Sequence, residues 1–364
     1  MLEDTYVIMR VENNVYNSYY LRNKPAQNIN FGGILHIDPR TGEINDSWFN
    51  RDGKTLQKAS DEIRANFPNG ADVLIYGCST GEENISFKTY LPESKYRAIG
   101  YDTSGSALRL GKRGVYSVFS GWYDSYLLPF VSKKEIKEKY PDEYENLLKF
   151  REKFYDITYE VPACNEYRDI NNKTDYMKLK YSNPSFVEKY YCLRSNYKNQ
   201  MDLQYGNFLD VGKVRKERPV GGISFRNALY HLCGNNVNEV LNFDTPSGSI
   251  KNKKILIENL VNGVYRTLDD GGVFVIGNHL KEHLFLADET TPKENVINFC
   301  DTPFYVESNA NHRAHKFMKC FKTSPLVEAL LKDGRFEPIG FSDVTTYHCK
   351  VRVPVLFQKA IRLV

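Results

Sequence analysis

The stretch DVLIYGCSTGEE, residues 72–83, decides the fold of this chain. Residues 73–76 form a short apolar run of strand-forming residues that predicts a buried strand. Gly77 and Gly81 allow a tight turn and the close approach of a ligand to the backbone. A turn of this kind, at the carboxyl end of a strand in an α/β sheet, is where nucleotide-like ligands bind.

The residues after the turn predict a helix and restrict the kind of ligand that the turn can bind. We expect Ser79 or Thr80 to cap this helix, whose first turn carries Glu82 and Glu83. Two carboxylates would repel a pyrophosphate, and the stretch lacks the Lys-Ser/Thr pair of a P-loop. They suit a cationic ligand with hydroxyl groups, such as S-adenosylmethionine, which carries a sulfonium, an ammonium and a ribose diol.

Composition predicts an ordinary globular protein of the cytoplasm. The 364 residues allow one large α/β domain with additions or two domains, and 41% of them are hydrophobic. A net charge of +4 is too small to indicate a nucleic-acid partner. The sequence has no signal-peptide pattern and no apolar run near the roughly 20 residues of a membrane helix. Seven scattered cysteines without CxxC spacing favour a reducing compartment and disfavour disulfides or a zinc site.

Alternating strand and helix patterns predict a mostly parallel sheet covered on both faces. Helices are predicted at about 54–67, 107–113 and 255–268, where apolar residues recur at helical spacing. Further strands are predicted at 96–101, 201–208, 222–225 and 273–276, with a terminal antiparallel hairpin from 336–341 and 351–357. Residues 121–200 are dense in Lys, Glu and Tyr and indicate an inserted subdomain, either a solvated helical face or a recognition element.

Polar residues at the predicted strand ends are candidates for the same cleft. Asp102 follows the second strand about 20 residues after the turn, where an acid accepts both ribose hydroxyls, although it could instead cap a helix. Asn207 and Asp210 follow one strand, and Arg226 and Asn227 end another. Each of these is also a common turn or cap residue.

Metal and thiol chemistry are disfavoured. His279 and His283 have i,i+4 spacing without an HExxH pattern, and His231 stands apart from them. Cys78 lies in the turn, yet no histidine follows at a recognisable spacing, so we interpret it as a small packed residue.

Taken together, these segments resemble the CheR-type chemotaxis receptor methyltransferases, which use S-adenosylmethionine. Residues 77–83 (GCSTGEE) are similar to the family's turn almost letter for letter. Residues 45–52 (NDSWFNRD) resemble the family's N-x-T-x-F-F-R-[DE] segment. Residues 99–104 (IGYDTS) resemble its second strand, and residues 113–116 (RGVY) resemble the end of the helix that follows. Residues 207–209 (NFL) resemble N-L-L, and residues 225–227 (FRN) with 270–277 (DGGVFVIG) resemble C-R-N and P-G-G-x-L-x-x-G. The resemblance covers roughly residues 44–280.

The resemblance implies a class I, Rossmann-like methyltransferase fold with a mostly parallel seven-stranded sheet. The methyltransferase domain would comprise residues 45–120 and 201–364, preceded by a short strand and loop segment at 1–44 and interrupted by the subdomain at 121–200. In the family the methyl acceptor is a glutamate side chain of a receptor. The site residues implied for binding S-adenosylmethionine are Ser47, Gly77, Cys78, Thr80, Gly81, Glu83, Asp102, Asn207, Phe208 and Asn227.

Departures from the family pattern lie on the acceptor side. Asn50 replaces the second Phe of the first block, and His231 occupies the position of an aromatic residue. A carboxylate acceptor is already ionised at neutral pH, and Arg51 is predicted to orient it through a charge-assisted pair. An amine or hydroxyl acceptor would need a base, for which His231 is the candidate. Two alternatives stay open: a silent S-adenosylmethionine-binding sensor or scaffold, and a methyltransferase acting on a small molecule or a different protein.

Overall fold

The helices and strands alternate around one seven-stranded sheet. The computed structural model describes residues 33–37, 44–50, 52–119, 141–162, 188–226, 250–277, 283, 296–299, 302–305, 324–345 and 350–361. Its strands are β1 (Gly33–Ile37), β2 (Ile44–Trp48), β3 (Asp72–Tyr76), β4 (Arg97–Asp102), β5 (Val115–Phe119), β6 (Thr158–Val161), β7 (Glu188–Leu193), β8 (Met201–Tyr205), β9 (Val220–Phe225), β10 (Val273–Ile276), β11 (Val296–Phe299), β12 (Thr302–Tyr305), β13 (Phe336–Thr345) and β14 (Lys350–Lys359). Its helices are α1 (Gly53–Asn66), α2 (Glu82–Tyr90), α3 (Gly105–Arg113), α4 (Pro141–Ile157), α5 (Ser195–Lys198), α6 (Ile250–Thr267) and α7 (Pro325–Lys332), with a 3-10 helix at Phe208–Lys213.

The large sheet has the strand order β13-β14-β10-β9-β3-β4-β8. The strands β10, β9, β3, β4 and β8 pair in parallel, whereas β14 runs antiparallel to both of its neighbours. This sheet confirms the predicted Rossmann-like architecture and its terminal antiparallel hairpin. From β3 the chain adds β4 and β8 on one side and β9 and β10 on the other, so the order reverses between β3 and β9. Ligands of open α/β sheets bind at such a switch point, outside the carboxyl ends of the strands.

Strand β3 is buried along its whole length because helices cover both faces of the sheet. All five of its residues are buried, and neighbours along the strand point to opposite faces. Val73 and Ile75 pack in a core with side chains of α1, α2 and α4. Leu74 and Tyr76 pack in a second core with side chains of α6 and α7. This two-sided burial explains why the stretch is continuously apolar.

One predicted strand is shorter than expected. The pattern predicted a strand over 201–208, but β8 ends at Tyr205 and a 3-10 helix begins at Phe208. The side chain of Asn207 accepts a hydrogen bond from the Leu209 amide at 3.0 Å. Asparagine is a preferred capping residue because it satisfies such an amide, so it ends the strand and starts the helical turn.

A second, smaller sheet lies within and beside the predicted insertion. Strand β7 pairs antiparallel with β5 on one side and with β6 on the other. Helix α4 precedes β6 and buries Phe150 and Phe154 completely in the core that contains β3. Phe154 also contacts Phe49, with ring centroids 5.4 Å apart. The inserted segment therefore contributes side chains to the main core.

Among the described residues, no helix is both long enough and apolar enough to cross a bilayer.

Candidate functional site

The turn after β3 is built from left-handed backbone conformations. Gly77 has φ 65° and Gly81 has φ 93°, and Ser79 between them has φ 51°. The Cys78 amide donates to the Tyr101 carbonyl of β4 at 3.2 Å, and the Gly81 amide donates to the Cys78 carbonyl at 2.8 Å. Glycine adopts such values without steric cost, whereas serine does so at a cost of about 1 kcal/mol.

The predicted caps of α2 are wrong. The residue at the N-cap is Gly81, which has no side chain to offer, rather than Ser79 or Thr80. The Thr80 hydroxyl instead donates to both carboxylate oxygens of Glu82, at 2.6 and 2.7 Å. Because the left-handed turn directs Thr80 toward this buried acid, the hydroxyl is not available to the helix amides. Glu82 and Glu83 do lie in the first helical turn, as predicted.

Asp102 joins the end of β4 to the turn. One carboxylate oxygen accepts from the Ser79 amide at 2.7 Å, and the other accepts from the Ser104 amide at 2.8 Å. The N-cap of α3 is Ser104, whose hydroxyl accepts from the Ala107 amide at 3.4 Å. The alternative that Asp102 caps this helix is therefore wrong. The carboxylate is held in place at the carboxyl edge of the sheet, with 7% of the residue exposed.

Glu83 forms an ion pair across the switch point. One of its oxygens accepts from Arg226 Nη2 at 2.8 Å and Nε at 3.1 Å, and the other accepts from the Ser224 hydroxyl. Ser224 belongs to β9, and Arg226 directly follows that strand. In the sheet register Tyr76 pairs with Phe225, so Arg226 and the turn lie side by side at the same edge.

No sequence pattern indicates a role for Ser224, whereas Arg226, at the end of a predicted strand, is a candidate for the cleft. The available signal was the FRN block, which places an arginine at the carboxyl end of a predicted strand. The Arg226 side chain is 1% exposed and that of Glu83 is 14% exposed. A charge buried to this extent requires a partner, and each of these two supplies it for the other.

The charge around the turn is negative. Burial raises the pKa of the Cys78 thiol well above its usual value, and the charges of Asp102, Glu82 and Glu83 raise it further. All three carboxylates therefore act on the centre of the turn. The Cys78 side chain is 1% exposed and packs in the core, and its role toward a ligand stays a prediction.

Tyr116 supports the turn from within the protein. Its hydroxyl donates to the Thr80 carbonyl at 3.1 Å and approaches the Gly111 carbonyl at 3.4 Å. The side chain is buried, and its ring packs against Phe49 with centroids 5.7 Å apart. Tyr116 belonged to a block that resembles the family, but the sequence did not indicate this contact.

Asn207 and Phe208 lie at the next strand end and have local structural roles. Asn207 caps the 3-10 helix, as described above. The Phe208 ring stacks on Phe225 with centroids 4.0 Å apart and is 4% exposed. Phe208 could therefore serve a bound ligand through its backbone only.

Several predicted site residues cannot be placed. Arg51, Asn227 and His231 lie outside the described residues, as does His279. Ser47 is described by its backbone, which belongs to β2 and pairs with Ile34. Their roles stay predictions.

No group of three or more potential metal ligands occurs among the described residues. His283 is buried, with its Nε2 2.7 Å from the Gly277 carbonyl, and burial lowers its pKa to about 4. A cavity of about 460 Å³ lies along β4 and β8 and reaches Asp72 and Arg97, the first residues of β3 and β4. The cavity runs along these strands as far as Tyr101 and Gln204, and neither the glycine turn at 77–81 nor Asp102 lines it, so it is separate from the site at the turn.

Comparisons with known proteins are of low similarity. No protein-family model matches the sequence, and no curated protein matches it. The glycopeptide N-methyltransferase MtfA, complexed with sinefungin, is 11% identical with a TM-score of 0.32, over 84% of this chain and 86% of that chain. An O-methyltransferase family protein from Burkholderia thailandensis is 8% identical with a TM-score of 0.30, over 85% of this chain and 57% of that chain. CalS10, an amino pentose methyltransferase from Micromonospora echinaspora, is 12% identical with a TM-score of 0.24, over 61% of this chain and 49% of that chain. Scores at this level carry no argument about activity, so the fold assignment rests on the strand order and the site on its own geometry.

Proposed function

We propose that this protein is an S-adenosylmethionine-dependent methyltransferase. The observation that carries the proposal is the set of three carboxylates, Glu82, Glu83 and Asp102, around a left-handed glycine turn at the switch point of the sheet. A negative site of this kind disfavours phosphate-bearing cofactors and favours a ligand with positive charge and hydroxyl groups.

The residues present fit this donor. Asp102 is fixed by two backbone amides, and each carboxylate oxygen can accept further hydrogen bonds, such as those of a ribose diol. Gly77 and Gly81 leave the backbone of the turn open to close approach. Glu83 supplies negative charge toward a cationic group while its ion pair with Arg226 holds it in place. When bound, S-adenosylmethionine supplies an electrophilic methyl group on its sulfonium.

The acceptor side follows from the resemblance. We propose a carboxylate acceptor, such as a glutamate side chain of a protein, because a carboxylate needs alignment and desolvation but no base. Arg51 would orient it by a two-point contact. An amine or hydroxyl acceptor, on a small molecule or another protein, would instead need a base such as His231.

Calorimetry tests the donor site. We expect S-adenosylhomocysteine, the demethylated product, to bind in the micromolar range and ATP not to bind. Asp102→Ala should weaken binding at least about tenfold, or about 1.4 kcal/mol, because it removes charge-assisted hydrogen bonds. The matched control is Asp202→Ala, an exposed acid of β8 that hydrogen-bonds to Gln204.

Thermal melting should accompany these titrations, since Asp102 also holds two amides of the fold. A folded Asp102→Ala variant with unchanged affinity would remove Asp102 from the site. Binding of ATP in preference to S-adenosylhomocysteine would contradict the proposed function as a whole.

Turnover is tested separately. Incubation with methyl-labelled donor and a cell lysate should transfer label to an acceptor, and alkali should release it as methanol if the product is a methyl ester. Label that resists alkali would indicate an N-methyl or O-methyl ether product. Donor binding without any transfer would favour the sensor or scaffold alternative.

A further inference from the structure

The turn after β2 brings one acid, Asp52, toward the start of α2. The Asn50 amide donates to the Ser86 hydroxyl at 2.8 Å, and both groups are buried. Ser86 lies three residues beyond Glu83, so the two side chains leave neighbouring positions on one face of the helix. This contact holds the turn near the ion pair of Glu83 and Arg226, and the Arg226 charge acts on Asp52.

Asp52 has a buried carboxylate oxygen without a hydrogen-bond partner among the described residues. Its Oδ2 atom is inaccessible to solvent and forms no hydrogen bond within the described part of the chain. Asp52 occupies the N-cap of α1, yet its side chain makes no capping bond. Hydrogen bonding to Thr55, in the first turn of that helix, lowers the pKa of the Asp52 carboxyl, but it leaves Oδ2 unsatisfied.

The backbone and the charge of Asp52 both cost stability. Its φ of 51° is left-handed, a conformation that costs a residue with a side chain about 1 kcal/mol. Burial raises the pKa of its carboxyl, and the neighbouring Thr55 and Arg226 offset this effect only in part. Strain and unmatched polar groups that coincide at a candidate site point to function, because the fold gains nothing from them.

The balance of charges identifies the missing partner as a cation. Arg226 and, more weakly, Lys54 act on Asp52, but two nitrogens of Arg226 already serve Glu83 and Lys54 pairs with Asp142. The Glu83 oxygens in turn accept from Ser224 and Arg226, so Asp52 Oδ2 is the oxygen left with full accepting capacity among these groups of the described chain. An ammonium group, with three donors and a positive charge, satisfies such an oxygen.

We propose that Asp52 binds the α-ammonium group of the methionine part of the donor. This inference rests on the proposed function and adds a specificity residue to it. Asp52 would distinguish ligands that carry the amino-acid part from those that consist of the adenosyl part alone.

Two ligands and two variants test the inference. S-adenosylhomocysteine carries the ammonium group, whereas 5′-methylthioadenosine keeps the adenosine and the sulfur but lacks the amino-acid part. Asp52→Asn should weaken the binding of S-adenosylhomocysteine at least about tenfold, since the lost contact is charge-assisted. The affinity for 5′-methylthioadenosine should change by no more than about twofold. Asparagine tolerates left-handed backbone, so the variant should fold, with a melting temperature equal to or above that of the wild type.

Asp61→Asn is the matched control. Asp61 is an exposed acid of the same helix, paired with Arg64, and its replacement should affect neither ligand. Unchanged affinity of Asp52→Asn for both ligands, or an equal loss for both, would overturn the inference while leaving the donor site intact. If neither ligand binds the wild type, the proposed function fails and the role of Asp52 fails with it.

Discussion

At the scale of single residues, the candidate site depends on backbone conformations that most side chains avoid. The turn between β3 and α2 has positive φ at Gly77, Ser79 and Gly81. Its shape lets the amide of Ser79 reach Asp102 and the carbonyl of Thr80 reach Tyr116. The two glycines are therefore required by the backbone itself.

Replacing one of these glycines should damage both fold and site. A Cβ at Gly81 would lie 3.3 Å from side-chain atoms of Leu203 and Tyr116, in addition to the cost of φ 93°. We expect Gly81→Ala to lower the free energy of unfolding by about 2 kcal/mol or more and to weaken S-adenosylhomocysteine binding. Urea denaturation and calorimetry measure the two effects.

Gly334 provides a control for the cost of placing a side chain at a positive φ. It has φ 56°, and a Cβ there would have no atom within 4 Å. Gly334→Ala should cost about 1 kcal/mol and leave ligand affinity unchanged. Equal effects of the two substitutions would show that the contacts around Gly81 do not matter.

His283 should make stability depend on pH. Its pKa is about 4 in the folded protein, below the ordinary value of 6.5, because the ring is buried. Between these values the unfolded chain binds a proton that the folded protein does not bind, so stability is full above about pH 6.5 and falls as the pH approaches 4. The free energy of unfolding falls by about 3 kcal/mol at most, because each pH unit between the two pKa values corresponds to about 1.36 kcal/mol.

The His283→Gln variant isolates this effect. Glutamine can still donate to the Gly277 carbonyl but does not titrate. The wild type should lose stability relative to the variant between about pH 6.5 and pH 4, as measured by urea denaturation. Parallel stability curves for the two proteins would contradict the prediction.

At the scale of helices and strands, α2 is the element that assembles the site. Glu83 at its start pairs with Arg226 beyond β9, and Asn84 donates to the Ala98 carbonyl of β4 at 3.2 Å. At its end, Tyr90 donates to Asn50 Oδ1 at 2.6 Å and to Asn146 Oδ1 at 3.1 Å. The helix thus connects the sheet, the turn after β2 and the inserted helix α4.

Removal of the Tyr90 hydroxyl should loosen this connection. Tyr90→Phe leaves the buried side-chain oxygen of Asn50 without this donor, while that of Asn146 keeps only the longer bond from Asn50 Nδ2 at 3.4 Å. We expect a loss of about 1–3 kcal/mol in the free energy of unfolding. Chemical denaturation gives this value directly.

Tyr76→Phe is the matched control. The Tyr76 hydroxyl is buried and has no hydrogen-bond partner within the described residues. Its removal should be neutral or stabilising, since an unsatisfied polar group disappears. A comparable loss in both variants would show that the Tyr90 hydrogen bonds do not stabilise the fold.

At the scale of the whole molecule, helix α4 of the inserted segment packs into the core around β3. Phe150 and Phe154 of α4 are fully buried in the same core as Ile85 and Phe87 of α2. A role of residues 121–200 in acceptor recognition stays a prediction. Helix α4 nevertheless has a structural role that the charge-rich sequence did not indicate.

The cost of removing this packing can be measured. Phe154→Ala should lower the free energy of unfolding by about 3–5 kcal/mol, the usual effect of emptying a buried aromatic site. Lys149→Ala, at an exposed position of the same helix, should change the free energy of unfolding by no more than about 0.5 kcal/mol. Deletion of residues 121–200 should likewise lower the melting temperature sharply, and a deletion variant as stable as the wild type would contradict this view.

Local signals were sufficient to predict β3, the glycine turn, β4 with Asp102 and the helix α6. Each depends on periodicity or on a short run of turn residues, which neighbours in the sequence determine. The same signals misplaced the cap of α2 and the end of β8, because side chains such as Thr80 and Asn207 choose between partners that only the folded chain offers.

The sequence by itself determined the alternation of strands and helices, the glycine turn and the acids beside it, since these follow from residues close together in the chain. The tertiary structure decided which groups meet. Ser224 and Arg226 reach Glu83 from 141 and 143 residues away, and Asn146 reaches Asn50 from 96 residues away. Such contacts depend on the strand order, with β9 placed beside β3, and no periodicity in the sequence encodes that order. For the same reason the unpartnered oxygen of Asp52 became visible only once the chain was folded around it.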